Sequence, residues 1–310
     1  MQLAVSTHWN ASRHHTGEAL IQEVLDAGFH SVELGYDLRL DLVPGVRRMV
    51  TDGAVTVTSL HNFCPIPVGA PIGHPELFTL ASHDPRIRQG AVKHTTDTIR
   101  FAAEIGAHAV VAHAGYVDVR MITPELIKLY EAGEQCSSRF ERLKLKAIVR
   151  RDDKARRHLD YLCESIELLL PVLQASRIAL AFENLPLWES CPNEPEMEEI
   201  ARRFDSPYIR YWHDFGHAYI RDALGFTSHK RWLERLRPWL AGMHIHDASS
   251  PSRDHLMPPR GKINFASFKE ILRSDTIAVL EPAPGTDVAD IQEAARRIRQ
   301  IRETPDEIGG

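Results

Sequence analysis

Cysteine is scarce in this chain: four residues in 310, Cys64, Cys136, Cys163 and Cys191, with no CxxC pair among them. The N-terminus also lacks a basic region followed by a long apolar core, so the expectation is reduced thiols in a cytoplasmic protein. No stretch approaches the length of continuous apolar sequence that spans a bilayer, so no membrane partner is expected. No sign of charge dominates. The formal net charge of −5 offers no electrostatic reason to expect a nucleic-acid partner. Glycine is missing where a dinucleotide-binding sheet needs it. The turn after the first β-type run reads His8-Trp9-Asn10-Ala11-Ser12, which disfavours a Rossmann-type fold.

Histidine, in contrast, is plentiful at 17 residues, and many stand where short apolar runs end. Those runs are Leu3–Thr7, Ser31–Gly35, Ala54–Leu60, Ala109–Ala112, Arg177–Phe182, Ile209–Trp212, Gly242–Ile245 and Thr276–Leu280. Most are dense in Val, Ile, Leu and Ala, as parallel strands covered on both faces are. Between them lie helical patterns at Glu18–Ala27, Gln89–Ile105, Ala155–Gln174, Glu194–Phe204, Lys230–Leu240, Ala266–Arg273 and Asp287–Ile301. Gly28 and Gly106 act as C-caps. Eight strand–helix repeats predict a single-domain (β/α)₈ TIM barrel over residues 1–302, with a flexible tail at 303–310. Two segments break the rhythm. Cys64–Pro85 is rich in proline and glycine and reads as a loop over the barrel. Residues 116–154 read as a partly helical insertion or lid after strand 4.

Active sites of such barrels form at the C-terminal strand ends. In chain order those ends carry His8, Glu33, His61, His113, Glu183-Asn184, His213-Asp214 with His217, His244 and His246 with Asp247, and Glu281. So many ionisable groups on one rim would repel one another unless a cation organised them. A divalent cation satisfies carboxylates and neutral imidazoles together. Strand parity puts His244 and His246 on one face. The deeper His244 would support the site and His246 would serve as ligand. A tight Phe215-Gly216 turn would let Asp214 reach the metal while His217 faces substrate or a second ion.

The motifs FEN at 182–184, DFGH at 214–217, HIHD at 244–247, RDHL at 253–256 and LEP at 280–282 resemble the xylose-isomerase-like barrel superfamily of sugar isomerases, epimerases and endonuclease IV. For the sugar enzymes, the resemblance implies one divalent metal (Mn, Mg, Co or Zn) on Glu183, Asp214, His246 and Glu281. Glu183 and Glu281 would move a proton next to a carbonyl through a metal-stabilised enediolate. His217 with Arg253 or His255 would hold substrate hydroxyls or an acidic group. For endonuclease IV, it implies three zinc ions with counterparts at His61, His113, Glu183, Asp214, His217, His244, His255 and Glu281. The remaining aspartate of that set falls near Arg253, with Asp254 adjacent. The expected function is a metal-dependent isomerase or epimerase of a small sugar, sugar phosphate or sugar acid. The alternatives are an inosose-type dehydratase and an endonuclease IV-like phosphodiesterase. The expected partner is a small carbohydrate, with a homo-oligomer left open. Where relatives carry Gly-Glu-Gly after RDHL, this chain has Pro259-Arg260-Gly261-Lys262, a change that could favour an anionic substrate.

Overall fold

A computed structural model describes residues 3–304; of the tail expected at 303–310, Glu303 still ends the last helix and 305–310 fall outside the described residues. Eight parallel strands close into a barrel in sequence order: β1 Leu3–Ser6, β2 Ser31–Leu34, β3 Thr56–His61, β4 Ala109–Ala112, β5 Ala179–Glu183, β6 Ile209–Asp214, β7 Leu240–Ile245 and β8 Ile277–Leu280. The ring closes where β1 pairs with β8, Val5 opposite Leu280.

The helices outside are α1 Gly17–Asp26, α2 Val43–Thr51, α3 Pro85–Ile105, α4 Thr123–Glu131 and α5 Ser138–Ser176, followed by α6 Glu194–Phe204, α7 Phe215–Ala223, α8 His229–Leu236, α9 Lys269–Leu272 and α10 Val288–Glu303. Local chemistry sets their ends. Pro85 occupies the first turn of α3, Asp84 accepts the Arg86 N–H, and Gly106 takes the left-handed conformation (φ 79°) that closes it. Asn193 and Glu196 form a reciprocal capping box that fixes α6 where the sequence places it. The helix expected at Lys230–Leu240 stops at Leu236, because Pro238 tightens the chain into a 3₁₀ turn and β7 starts at Leu240. The region 116–154 holds α4 and the first part of the 39-residue α5.

The period of two along each strand sorts its side chains. Outward residues such as Leu60, Val110, Leu180 and Phe182 join the large core between sheet and helices. Inward residues form a separate small core of Ala4, Ala109, Val111, Ala181, Val279 and one large side chain, Trp212. Gly242 makes room for it, since a Cβ there would overlap the indole ring. Trp212 is the floor of what lies above.

Candidate metal centre

Continuing the same alternation upward from that floor, the next inward position on strand after strand is polar. Glu33, His61, Glu183, Asp214, His244 and Glu281 are all buried there. His244 stands edge-on above Trp212, with ring centroids 5.2 Å apart. Glu183, Asp214, His244 and Glu281 each offer a ligand atom, and these atoms lie within 4.8 Å of one another. Among the described residues three triplets meet the same limit: His61 with His113 and Glu183, His61 with His244 and Glu281, and His217 with His246 and His255.

His244 is fixed from behind. Its Nε2 lies 3.0 Å from Glu33 Oε1, and Glu33 in turn accepts from Ser59 Oγ at 2.7 Å. That leaves Nδ1 turned to the cluster, 3.1 Å from Glu183 and 3.5 Å from Glu281. An outer carboxylate holding a ligand imidazole is a common support for metal sites.

His246 is placed differently from the expectation that made it the imidazole of the Glu183–Asp214–Glu281 set. Its Nδ1 accepts the His255 backbone N–H at 2.9 Å, and its Nε2 meets Asp214 Oδ2 at 2.9 Å. With both nitrogens engaged, its ring orients Asp214 and stacks on His255 at 4.0 Å. The reason is depth: β7 ends at Ile245, so His244 is the last inward residue of the strand and His246 lies above it.

The expected Phe215-Gly216 turn is also corrected. Helix α7 starts at Phe215 itself, and Asp214 is its N-cap, with Oδ1 accepting the His217 N–H at 2.6 Å. His217 therefore stands one turn up a helix, its Nδ1 donating to the Asn184 carbonyl. Asn184 ties β5 to β6, accepting the Asp214 N–H and donating to its carbonyl.

Glu183 is the hub. One oxygen lies 3.2 Å from His61 and 3.1 Å from His113, and the other faces His244 and His217. Burial works to raise its carboxyl, but His244 and His113 outweigh it and hold it well below the ordinary range. Burial likewise opposes charge on His113, yet Glu183 and Glu76 push that imidazole up to about 9. The donor set fits a divalent cation: three carboxylates and a supported imidazole, all at least 95% buried, aim at one point from four strands.

Other expected residues sit around this core. His255 takes a left-handed backbone (φ 52°) and lies 3.7 Å from Glu281. Arg253 is exposed in a turn and is not among the converging groups. Asp247 faces away from the cluster and binds the following loop, accepting the N–H groups of Ala248, Gly261 and Ile263. Of the two cations in that loop, Arg260 pairs with Asp290 outside the mouth and Lys262 is exposed. Glu76 has no signal in the sequence, because it lies on an irregular loop. It nevertheless accepts from Tyr116 Oη at 2.5 Å and lies 3.3 Å from His113.

The four cysteines are unpaired. No helix among the described residues is long and apolar enough to cross a membrane.

Comparison with known proteins agrees with this architecture. The curated relative found is the uncharacterized protein MJ1614 of Methanocaldococcus jannaschii, 21% identical over 90% of this chain and 91% of its own. Similar solved structures include a D-tagatose 3-epimerase-like protein (18% identity, TM-score 0.69, covering 97% of this chain and 98% of that one). The 3-keto-D-glucoside 4-epimerase YcjR of E. coli matches at 15% identity, TM-score 0.69 and 97% and 99% coverage. An L-ribulose 3-epimerase matches at 14%, TM-score 0.70 and 97% and 94% coverage. The model of the xylose isomerase-like TIM barrel family matches residues 21–302, and the chain belongs to that family.

Proposed function

We propose that this protein is a divalent-metal-dependent isomerase or epimerase of a small sugar, sugar phosphate or sugar acid. The observation that carries this reading is the convergence of Glu183, Asp214, His244 and Glu281 at four strand ends, with two glutamates in one buried set. The structural neighbours named as sugar epimerases support the substrate class.

Those four residues would hold the cation, and Mn, Mg, Co and Zn all suit such a mixture of oxygen and nitrogen donors. A bound cation would supply positive charge that polarises a substrate carbonyl and acidifies the carbon beside it. Glu183, kept ionised by His244 and His113, is ready to take the proton from that carbon. Glu281, directly after β8, would return it. His246 acts by holding Asp214, and His217 and His255 border the space left for substrate hydroxyls.

The test is hydrogen exchange from D₂O into D-tagatose, D-psicose and L-ribulose with Mn²⁺-loaded protein. Wild type should incorporate deuterium next to the carbonyl, and Glu183→Gln or Glu281→Gln should abolish it with the fold intact. Unchanged exchange in both variants overturns the base assignment.

One observation favours a phosphodiesterase as the second reading. The triplets His61–His113–Glu183 and His217–His246–His255 flank the main set and could bring the count of ions to three. Metal analysis separates the two: about one ion per chain supports the sugar enzyme, and three zinc ions favour phosphodiester cleavage.

A further inference from the structure

Outside the cluster, three polar groups from the first two strand ends form a chain that the proton movements of the glutamates do not use. Asp37 Oδ2 lies 3.1 Å from His8 Nδ1, and His8 Nε2 lies 3.1 Å from Tyr36 Oη. A carboxylate only accepts, so Nδ1 donates to Asp37, and in the neutral imidazole Nε2 is left to accept the Tyr36 hydroxyl. The free lone pair of Tyr36 Oη is then turned away from His8.

The backbone is built for this arrangement. Gly35 N–H donates to Thr7 Oγ1 at 2.9 Å, drawing the end of β2 against the turn that carries His8. A Cβ at Gly35 would lie 2.7 Å from Asp37 Oδ1 and 3.0 Å from His8 N, so only glycine permits the approach. From above, a Cβ at Gly73 would overlap the Tyr36 carbonyl, so the Cys64–Pro85 loop closes on the same pair. The Tyr36 ring stands edge-on to His61 with centroids 5.2 Å apart. His61 in turn belongs to the buried cluster, beside His244 and Glu281, and burial first, then the charges of Glu281, Asp37 and Glu183, drive the Tyr36 phenol upward.

We propose that Asp37, His8 and Tyr36 form a relay that moves a proton between two substrate oxygens, so that the site interconverts aldoses and ketoses rather than only inverting a carbon. This rests on the reading of Glu183 and Glu281 as the carbon bases. The substrate hydroxyl gives its proton to Tyr36 Oη as the phenolic proton passes to His8 Nε2, beside Asp37. A glutamate then takes the hydrogen from the carbon bearing that oxygen. The C–H pair becomes the C=C bond, and the carbonyl pair moves to its oxygen, which takes the proton back through Tyr36 from His8. Finally the alkoxide pair forms the new carbonyl, and the C=C pair takes a proton from the glutamic acid at the former carbonyl carbon. The relay and the glutamates end as they began.

Two measurements test this. In D₂O, Mn²⁺-loaded wild type acting on D-tagatose, D-psicose and L-ribulose should yield an aldose deuterated at C2. In Tyr36→Phe and His8→Asn, the ratio of aldose formed to deuterium exchanged should fall at least tenfold. Exchange yielding only ketose epimers in wild type, or an unaltered ratio in both variants, overturns the relay and leaves the glutamates standing. No deuterium in any sugar instead removes the reading of the glutamates. In metal-free protein, ¹⁵N NMR should show His8 protonated at Nδ1 only, with the Nε2 signal moving in Tyr36→Phe; a protonated Nε2 overturns the relay independently of activity.

Discussion

His244 and His246 stand two residues apart, and the difference in what their nitrogens meet supports reading the first as a ligand and the second as its support. Glu33 holds the outer nitrogen of His244 and turns the inner one to Glu183, Asp214 and Glu281, whereas His246 turns one nitrogen to Asp214 and the other to the His255 backbone. His246→Ala should therefore weaken Mn²⁺ or Zn²⁺ binding by roughly 10- to 100-fold, the usual effect of losing an outer support. His244→Ala should weaken it more, as read by calorimetric titration of the two variants; the reverse order would make His246 the ligand. Period-two counting brings both histidines to the same face, and so cannot rank them. What ranks them is the height of each above Trp212, which depends on where β7 ends. Glu33 was legible by the same counting, from Ser31 inward, although its bond to His244 links positions 211 residues apart.

Among the elements, helix α7 shows best why the strands were legible and some helices were not. Buried parallel strands announce themselves as short apolar runs, and all eight observed strands overlap those expected. The first turn of α7, Phe-Gly-His, carries a glycine and a histidine that read as a turn, and the Asp214 cap that starts the helix doubles as a site residue. Its glycine is needed for packing rather than for turning. A Cβ at Gly216 would overlap the His246 ring. Gly216→Ala should accordingly gain helix propensity yet lose stability, by about 1–3 kcal/mol from overpacking. It should also weaken metal binding through the displaced ring. Thermal unfolding with and without Mn²⁺ checks this; a variant more stable than wild type in both states would show that the ring yields freely.

For the molecule as a whole, opposed histidine shifts set the pH of greatest stability. In the metal-free protein, burial tends to lower His113 and His255, but neighbouring carboxylates carry both to about 9. Their contribution is fully present below pH 6.5 and is lost as pH rises through 9. His229, packed against His213 behind β6, is lowered by burial to about 4. Between pH 6.5 and 4 the unfolded chain takes up a proton that the folded one refuses, so stability falls as pH falls. Each limb is worth on the order of a few kcal/mol. Urea unfolding of chelated protein should peak near pH 6.5, and stability still climbing at pH 8.5 would contradict these shifts.

A second whole-molecule feature is the packing of an outer helical arm against the rim of the site. Helix α5 is 39 residues long, about 59 Å, and its early part packs with α4 into a small core of Ile122, Leu126, Leu129, Phe140 and Ala147. That core also contains Ile220 and Leu224, which belong to α7 and its end. The helical arm over the β4 side is thus geared to the rod that carries His217. A substitution that loosens this shared core, on either side of it, therefore acts through α7 on the seat of His217.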